Sequence, residues 1–477
     1  MYLINYREVT SMIYTFYHVT DTHYYSKKNF ACDPWSLPQF QDNIAFRESE
    51  EILKKALSII LDDEETSTAI FTGDMTNFGD EDSHRDMIEI LCDFTDKGGN
   101  PFVVTDSHDY PWFGIFRIDE NGKKIPSEHL PRAEVVPMYY PFGRDKSIAK
   151  FDGDDTTYVA EILPGLRYIA LGYVFTAEDN EHGPVFTDEL MAWVGEQVEA
   201  ARRDGCFVFC GTHWPIVSPS PAYELLGKGN FFVDGANRVE ELADMGIRLF
   251  FNGHTHIQCM RELTSKKGNK LYSIQTAALS GFPPKMRRIT IDTDTGEVKI
   301  RTIDIDLPEL NLGVSLAEYI RRGFLGSLED IPYNMEHDVE AFANTGSITL
   351  PKDKILAHPR IVRFVGKRLN RLTYGTMAKF SRKYHGMKPA EYAALKDKRV
   401  VPFVFELVAN LYMGNASYSP DTVEYRITMG VIERVKRITR LLRIDLDRSL
   451  GGYSLEQIVA PLLYNSGLDD DNVDIYL

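Results

Sequence analysis

The stretch Leu249–Ile257, LFFNGHTHI, combines a buried-strand pattern with two histidines. An apolar run that ends in Asn252 and Gly253 is typical of a strand that stops at a turn. The turn presents His254 and His256, whose neutral imidazoles can face one locus and bind a divalent transition metal. A histidine pair alone lies more often in a solvent-exposed turn than in a metal site. The metal interpretation therefore depends on what other strand ends supply.

Further strand ends upstream carry residues of the same chemical kind. Met12–Thr20 is rich in β-branched and aromatic residues, which predicts a strand that delivers Asp21 and His23. These two side chains point the same way because side chains alternate along an extended segment. More strands are predicted at Thr68–Thr72, Pro101–Thr105 and Cys206–Cys210. The polar residues that follow them are Asp74, then Asp106, Ser107, His108 and Asp109, and finally His213.

Residues 111–155 show no clear periodicity and are rich in prolines and aromatics. A long insertion of this kind is usually functional or disordered. Its rings could wall a pocket, although packing against the insertion's own domain is the commoner role for any single ring. The aromatic residues concerned are Trp112, Phe113, Phe116, Tyr139 and Tyr140.

Length and charge limit the class of protein. A chain of 477 residues is too long for one ordinary core, which predicts at least two domains. The net charge of −17 predicts no membrane partner and makes nucleic acid an unlikely one, because both are polyanions. Five scattered cysteines indicate a reducing compartment, and no secretory or membrane-spanning segment is visible. We therefore expect a cytoplasmic protein.

The character of the sequence changes near residue 309. Before it, strand and helix patterns alternate, which predicts an α/β domain over residues 1–308. After it, apolar residues recur at helical spacing, which predicts an all-helical domain over residues 309–477 that covers the first domain or mediates homo-oligomerisation. The helices predicted there are Ser315–Phe324, Lys354–Phe380, Pro389–Leu395, Pro402–Tyr412, Val423–Leu446 and Ser454–Tyr464.

Taken in order, the motifs DTH (21–23), GD (73–74), SHD (107–109), the His213 cluster and GHTH (253–256) resemble the calcineurin-like metallophosphoesterase family. That family has the pattern DxH, GD, GNHD/E, a later His and GHxH, and the resemblance covers roughly residues 12–305. It implies an α/β fold, a four-layer α/β/β/α sandwich, with a two-metal site in a groove at the strand ends.

The resemblance also implies which residues hold the metals. The first ion would be held by Asp21, His23, Asp74 and His256, and the second by Asp74, His213 and His254. Two divalent ions ~3.5–4 Å apart can hold a phosphate oxygen and generate a hydroxide in line with the leaving group. Mixed His and Asp ligands suit Mn, Fe, Zn or Co better than Ca or Mg. No organic cofactor is implied.

His108 matches the family's catalytic histidine, which would protonate the leaving oxygen while Asp109 orients the imidazole. One departure affects the second metal, because Asp106 and Ser107 stand where the family has Gly and Asn. The Asn normally supplies an amide oxygen, and a serine hydroxyl is shorter. Three outcomes stay open: a weaker site completed by water, use of the Asp106 carboxylate, or a nearly inactive protein. We expect a retained site with altered metal affinity.

The segment GDMTNFGDEDSH (73–84) and the C-terminal helices most resemble bacterial cyclic-nucleotide phosphodiesterases within the family. We therefore expect a dinuclear metal-dependent phosphohydrolase that cleaves a small phosphodiester such as a cyclic nucleotide. The alternatives are a phosphomonoesterase or nucleotide phosphatase, and a catalytically weakened scaffold protein on the same fold. A nuclease ranks below them because of the acidic charge.

Overall fold

The computed structural model describes residues 12–477 except 41, 112, 174–183, 227–229, 233, 345–351, 382–388, 415, 417, 444, 446, 447, 449, 451 and 466. Its strands are β1 (Ile13–Val19), β2 (Thr68–Thr72), β3 (Asn100–Val104), β4 (Ile115–Ile118), β5 (Lys124–Ser127), β6 (Ala149–Lys150), β7 (Tyr158–Leu163), β8 (Leu166–Leu171), β9 (Phe207–Thr212), β10 (Leu249–Asn252), β11 (Cys259–Thr264), β12 (Lys270–Gln275), β13 (Lys285–Asp292), β14 (Glu297–Asp304) and β15 (Val473–Tyr476).

The described helices divide between the two halves of the chain. Those of the first half are α1 (Ser49–Leu61), α2 (Glu81–Asp96), α3 (Arg132–Met138), α4 (Asp188–Asp204), α5 (Pro221–Leu226) and α6 (Gly235–Met245). Those of the second half are α7 (Leu316–His337), α8 (Val339–Ala343), α9 (Lys352–Ala357), α10 (Pro359–Leu369), α11 (Tyr374–Ser381), α12 (Pro389–Leu395), α13 (Val400–Met413), α14 (Val423–Leu441) and α15 (Leu455–Leu463).

Two mixed sheets form the centre of the molecule. The first has the order β15-β14-β13-β1-β2-β3, with β1, β2 and β3 parallel to one another. The second has the order β11-β12-β10-β9-β8-β7-β6, with β8, β9, β10 and β12 parallel. Parallel neighbours bring their carboxyl ends to the same sheet edge, which is where α/β folds place their sites.

The sheets pack face to face through buried aromatic rings. Phe16 of the first sheet stacks on Phe209 of the second, with ring centroids 4.9 Å apart, and meets Phe251 edge-on at 5.6 Å. On the outer faces, α1 and α2 cover the first sheet, while α4 and α6 cover the second. The apolar side of each helix faces its sheet, as at Ile52 and Leu242. The four-layer α/β/β/α sandwich predicted from the sequence is confirmed.

The C-terminal helical region is confirmed too, and it packs directly on the sandwich. Leu316, Ile320 and Phe324 of α7 belong to the same core as α1 and the first sheet. At the end of α13, the carbonyl of Tyr412 accepts a hydrogen bond of 2.9 Å from the backbone N–H of Gln258. None of the described helices is long and apolar enough to cross a membrane.

Some helix predictions need correction. The predicted helix Lys354–Phe380 is three helices, α9, α10 and α11. The first break precedes Pro359, which lacks an N–H and instead begins α10 at its first position. The second break covers residues 370–373. An all-helical domain is predicted over residues 309–477, whereas β15 near its end pairs antiparallel with β14 at the edge of the first sheet.

Candidate metal centre

Five loops meet at the carboxyl ends of β1, β2, β3, β9 and β10. Backbone hydrogen bonds tie neighbouring loops together: Asp21 N–H donates to the Gly73 carbonyl at 3.2 Å, and Gly253 N–H donates to the His213 carbonyl at 2.9 Å. The Gly73 position has no room for a side chain, since a Cβ there would lie 2.5 Å from the His213 ring. The glycines of the GD and GHTH motifs therefore let two loops approach closely.

The candidate ligand residues adopt an uncommon backbone conformation. Positive φ angles occur at Asp21 (51°), His23 (42°), Asp74 (51°), His254 (71°) and His256 (60°). Non-glycine residues in this left-handed region are rare and cost about 1 kcal/mol or more each, and they cluster at functional sites. The surrounding sheets hold these backbones in place so that the five side chains turn toward one another.

The first group of side chains consists of Asp21, His23 and His256, whose ligand atoms lie within 4.8 Å of one another. The Nε2 atoms of the two histidines are 2.9 Å apart. Oδ1 of Asp21 lies 3.3 Å from His256 Nε2 and 3.6 Å from His23 Nε2. The Asn43 amide contacts His256 Nδ1 at 3.4 Å and fixes the ring from behind. One carboxylate and two imidazoles thus face a common point.

The second group consists of Asp74, His213 and His254, again within 4.8 Å of one another. His213 donates Nδ1–H to the Thr72 carbonyl at 2.6 Å, which leaves its Nε2 facing Asp74 Oδ2 at 3.0 Å. A backbone carbonyl behind a histidine is the usual second partner of a metal-binding imidazole, because it fixes the tautomer and the ring orientation.

Asp74 lies between the two groups. The same oxygen, Oδ2, is 3.0 Å from His213 Nε2 and 3.9 Å from His23 Nε2. Its other oxygen accepts a hydrogen bond of 3.0 Å from the backbone N–H of His108. One carboxylate oxygen therefore faces both groups, as a bridging ligand must.

The donor set fits a pair of divalent cations. Oδ1 of Asp21 is buried and accepts no hydrogen bond within the described part of the chain, so a negatively charged oxygen is left for a cation. Burial lowers the pKa of His23 to about 4, which keeps its imidazole neutral near pH 7 and able to coordinate. Burial would also lower the pKa of His213, but Asp74 and Asp21 outweigh it and raise that pKa. The buried carboxylates thus favour positive charge here.

His108 lies beside these groups at the mouth of the site. Its Nδ1–H donates to the Asn77 carbonyl at 2.7 Å, so Nε2 is the nitrogen left for a substrate. The ring lies 4.8 Å from the His23 ring and is half-buried, which leaves it accessible. This geometry suits a group that donates a proton to a leaving oxygen.

Asp109 does not orient His108 as predicted. Its Oδ1 accepts hydrogen bonds from the backbone N–H of Thr76 at 2.8 Å and from the Thr76 hydroxyl at 3.2 Å. Its Oδ2 accepts one from the backbone N–H of Asp106 at 2.9 Å. The imidazole is held by the Asn77 carbonyl instead, because the Asp109 carboxylate is directed away into the turn. Asp109 therefore shapes the loop that carries His108.

The two residues that depart from the family pattern have different surroundings. Ser107 is buried and donates its backbone N–H to Asp106 Oδ1 at 2.7 Å, and its hydroxyl makes no hydrogen bond to a candidate ligand in the described residues. Asp106 Oδ1 also accepts a hydrogen bond of 2.7 Å from the indole N–H of Trp214. The described residues form three groups whose ligand atoms lie within 4.8 Å of one another, the third being His23, Asp74 and His108. Asp106 belongs to none of them, so use of its carboxylate as a ligand has no geometric support.

Sequence reasoning missed two residues that support the site. Trp214 stacks on His254 with ring centroids 3.7 Å apart, and Asn43 contacts His256. The position of Trp214, directly after His213 in the chain, was a usable signal. Asn43 gave none, because it lies in a loop more than 200 residues from the histidine that it contacts.

Of the aromatic residues in the 111–155 insertion, Phe113 borders the site, with its ring 5.0 Å from that of His108. Phe116 packs in a cluster around Tyr25, and Tyr139 is buried against His84. Tyr140 lies under the guanidinium of Arg144. Trp112 lies outside the described residues. Phe113 thus borders the candidate site, and packing within the domain accounts for Phe116 and Tyr139.

Residues 14–258 match the family model described as calcineurin-like phosphoesterase. Among solved structures, the fold is similar to a dimetal phosphatase from Danio rerio, with 13% identity, a TM-score of 0.42, and coverage of 61% of this chain and 96% of that one. A purple acid phosphatase from yellow lupin seeds (Lupinus luteus) has 11% identity, a TM-score of 0.36 and coverages of 62% and 52%.

A predicted phosphoesterase from Streptococcus pneumoniae has 11% identity, a TM-score of 0.24 and coverages of 61% and 90%. With TM-scores below 0.5, these three structural likenesses add nothing to the family match. No curated protein matches the sequence.

Proposed function

The chain belongs to the calcineurin-like phosphoesterase family, and on that premise we propose that it is a phosphodiesterase that hydrolyses a small phosphodiester such as a cyclic nucleotide. The observation that carries the proposal is the pair of neighbouring Asp and His groups, with Asp74 Oδ2 facing both and His108 beside them. Asp21, His23, Asp74 and His256 would hold one divalent ion. Asp74, His213 and His254 would hold the other, and the donor set suits Mn, Fe or Zn.

The bound ions would supply Lewis acidity toward a phosphoryl oxygen and lower the pKa of a water molecule. The chain's own contribution to bond cleavage is His108. With Nδ1–H fixed on the Asn77 carbonyl, the ring can present a protonated Nε2 to the oxygen of the departing alcohol. An alkoxide is a poor leaving group, so this proton transfer is what a diester with an alcohol leaving group needs.

The charges at the site favour a diester over a monoester. In the described part of the chain, no lysine or arginine forms a hydrogen bond or ion pair with Asp21, Asp74, His108 or His213. A monoester carries close to two negative charges at neutral pH and is commonly bound by arginine forks or lysines. A diester carries one, which the metal centre can balance without added cations.

A test compares hydrolysis of bis-p-nitrophenyl phosphate and p-nitrophenyl phosphate by the Mn-loaded protein, followed by 2′,3′-cyclic and 3′,5′-cyclic AMP. We expect a higher kcat/KM for the diester. A clear preference for the monoester would replace the proposal with a phosphomonoesterase or nucleotide phosphatase. The Asp74→Ala variant is the control, since it should lose both metals, and activity that survives this change unaltered comes from a contaminating enzyme.

A second candidate function is a scaffold on a weakened phosphoesterase fold, which the surroundings of Ser107 favour. Its hydroxyl makes no hydrogen bond to a candidate ligand in the described residues, where the family has an amide oxygen. Elemental analysis separates the two functions. Less than one equivalent of metal, together with no turnover of either nitrophenyl ester after Mn loading, would support the scaffold.

A further inference from the structure

The net charge of −17, which by itself predicts no membrane partner, conceals a strong separation of charge along the chain. Residues 1–310 hold 50 Asp and Glu against 30 Lys and Arg, whereas residues 351–450 hold 21 Lys and Arg against nine Asp and Glu. Within the second segment, residues 354–372 contain six Lys and Arg and no acid. The excess of Asp and Glu over Lys and Arg therefore lies in the sandwich, and part of the helical region carries a net positive charge.

Helix α10 lies in the middle of this basic stretch. It packs on α7 through Gly366, where a Cβ would lie 2.6 Å from the backbone nitrogen of Glu336, and Val362 joins the small core there. These two residues fix the inward side of the helix. Because α-helical residues advance about 100° each, Ile361, Phe364 and Val365 must lie on the outward side.

The outward side is apolar and exposed. Ile361 is 61% exposed and Phe364 is 59% exposed, and Val365 is exposed beside them. We call these three residues the outer face of α10. Scattered exposed apolar residues are ordinary, but three neighbouring ones on one helix face form an apolar patch that a partner can cover.

Basic side chains border the outer face on one side, and Arg368 lies within it. Arg360, Arg363, Lys367 and Arg368 are all exposed, and none forms an ion pair within the part of the chain that the structure describes. Arg368 lies over the ring of Phe364 at 5.2 Å. The pattern recurs at the end of α14, where Leu441 and Leu442 are 78% and 64% exposed among arginines.

We propose that the outer face of α10 docks on an anionic membrane surface, with the aliphatic and aromatic side chains entering the interface and the flanking cations facing lipid phosphates. An interfacial helix needs an apolar side bordered by Lys and Arg, which is the arrangement observed here. Charge complementarity selects an anionic surface. Nucleic acid would also attract the cations, but it gives the exposed aliphatic residues no partner. The inference does not depend on the proposed function.

The experiment is co-sedimentation of the full chain with large vesicles of phosphatidylcholine, alone or mixed equally with phosphatidylglycerol. We expect binding to the mixed vesicles to be stronger by about tenfold or more, since each cation near an anionic surface adds affinity. Ile361→Ser combined with Phe364→Ser should abolish it, and so should Arg363→Glu combined with Lys367→Glu.

Two control variants carry similar changes on the sandwich, away from α10. Ile148→Ser removes an equally exposed apolar residue and Lys266→Glu reverses an exposed charge, and both should bind vesicles as the unchanged protein does. Circular dichroism must show the same helix content for every variant, which is expected because the changed side chains are at the surface.

Three results would overturn the proposal. One is equal or absent binding to the two kinds of vesicle. Another is gel retardation of a DNA or RNA duplex by the unchanged protein. If Arg363→Glu with Lys367→Glu abolishes this retardation and Ile361→Ser with Phe364→Ser does not, the surface is a nucleic-acid site. The third is a dimer that Ile361→Ser with Phe364→Ser converts to a monomer, without vesicle binding by either, which would make it a self-association face.

Discussion

The carboxylate of Asp106 holds the indole of Trp214 by a hydrogen bond of 2.7 Å, and the same indole stacks on His254 at 3.7 Å. Trp214 is buried, so its ring can rest in one position. A residue that departs from the family pattern is thereby linked, through one side chain, to a candidate ligand of the second metal. Groups behind a ligand commonly change metal affinity by about 10–100-fold.

Trp214→Phe should weaken the second metal by about tenfold, because the ring can still stack but nothing holds it, and Asp106 loses a donor. Titration of the metal-free protein with Mn²⁺, followed by calorimetry, measures both sites. Trp193→Phe, on α4 away from the centre, is the matched control and should leave both affinities unchanged. Equal affinities for the Trp214 variant would show that the stack does not position His254.

Asp74→Ala should remove both metals, because one oxygen of Asp74 faces both groups. His108→Ala should leave the metal content nearly unchanged and lower kcat by about 10²-fold or more, since its proposed role is proton transfer to the leaving group. Elemental analysis and initial rates on the same preparations give the two readouts. Metal loss in the His108 variant would mean that His108 is itself a ligand.

Ser107→Asn should tighten the second metal and raise activity at limiting metal, since the longer side chain can bring an amide oxygen to the ion. Ser107→Ala is the matched comparison, and it should bind metal as the unchanged protein does if the hydroxyl contributes nothing. Calorimetric titration distinguishes the cases. If Ser107→Asn changes neither the affinity for the second metal nor the rate of hydrolysis, residue 107 does not influence the metal site.

Gly414→Ala tests the contact between the helical region and the sandwich. Gly414 ends α13 with a φ of 75°, and a Cβ there would lie 2.8 Å from the Gln258 carbonyl oxygen and 2.6 Å from the Asp470 Cβ. Gly313 has the same φ of 75° with nothing within 4 Å of a Cβ, so Gly313→Ala reports the backbone cost alone. The free energy of unfolding, measured in urea, should fall by about 2 kcal/mol more for Gly414→Ala. Equal losses of unfolding free energy in the two variants would mean that the contact around Gly414 relaxes without a cost in stability.

Acid should destabilise the fold through His18. Burial lowers the pKa of His18 to about 3, and its ring nitrogens bond the hydroxyls of Thr72 and Thr276 at 2.8 and 2.7 Å. Between that value and about 6.5 the unfolded chain binds a proton that the folded protein does not, so stability is present above pH 6.5 and is lost as the pH falls.

The slope from this one histidine is about 1.4 kcal/mol per pH unit. In chelator-treated protein, His18→Gln should flatten the dependence of the unfolding free energy on pH by that amount. His337→Gln, at an exposed histidine on α7, should leave the slope as it is. If the unfolding free energy depends on pH with the same slope in the unchanged protein and in both variants, His18 is not the cause of the acid destabilisation.

Most of the sandwich was predictable because each strand is a short apolar or β-branched run closed by a turn, as at Thr68–Thr72, which matches β2. The loops that follow such strands carry their ligand-type residues within a few positions, so the order of motifs also indicated which side chains meet. The break before Pro359 was visible in the sequence, but helical spacing on both sides masked it.

The parts that could not be predicted depend on contacts between distant residues. Asp106 and Trp214 are 108 positions apart, and the direction of the Asp109 carboxylate is set by the position of Thr76 in another loop. No local pattern specifies such pairs, because each forms only when two independent turns are brought together. The left-handed backbones at the candidate ligands likewise belong to the assembled sheets rather than to any one segment.

The pairing of β15 with β14 has a consequence for biosynthesis. During translation, the outer edge of the first sheet stays open from the emergence of residue 304 until residues 473–476 leave the ribosome, while the entire helical region is made in between. An unpaired strand edge is a template for association with other chains. Until those four residues pair, the eight-residue edge of β14 is open to other chains, whereas afterwards the sheet presents only the four-residue edge of β15 on that side.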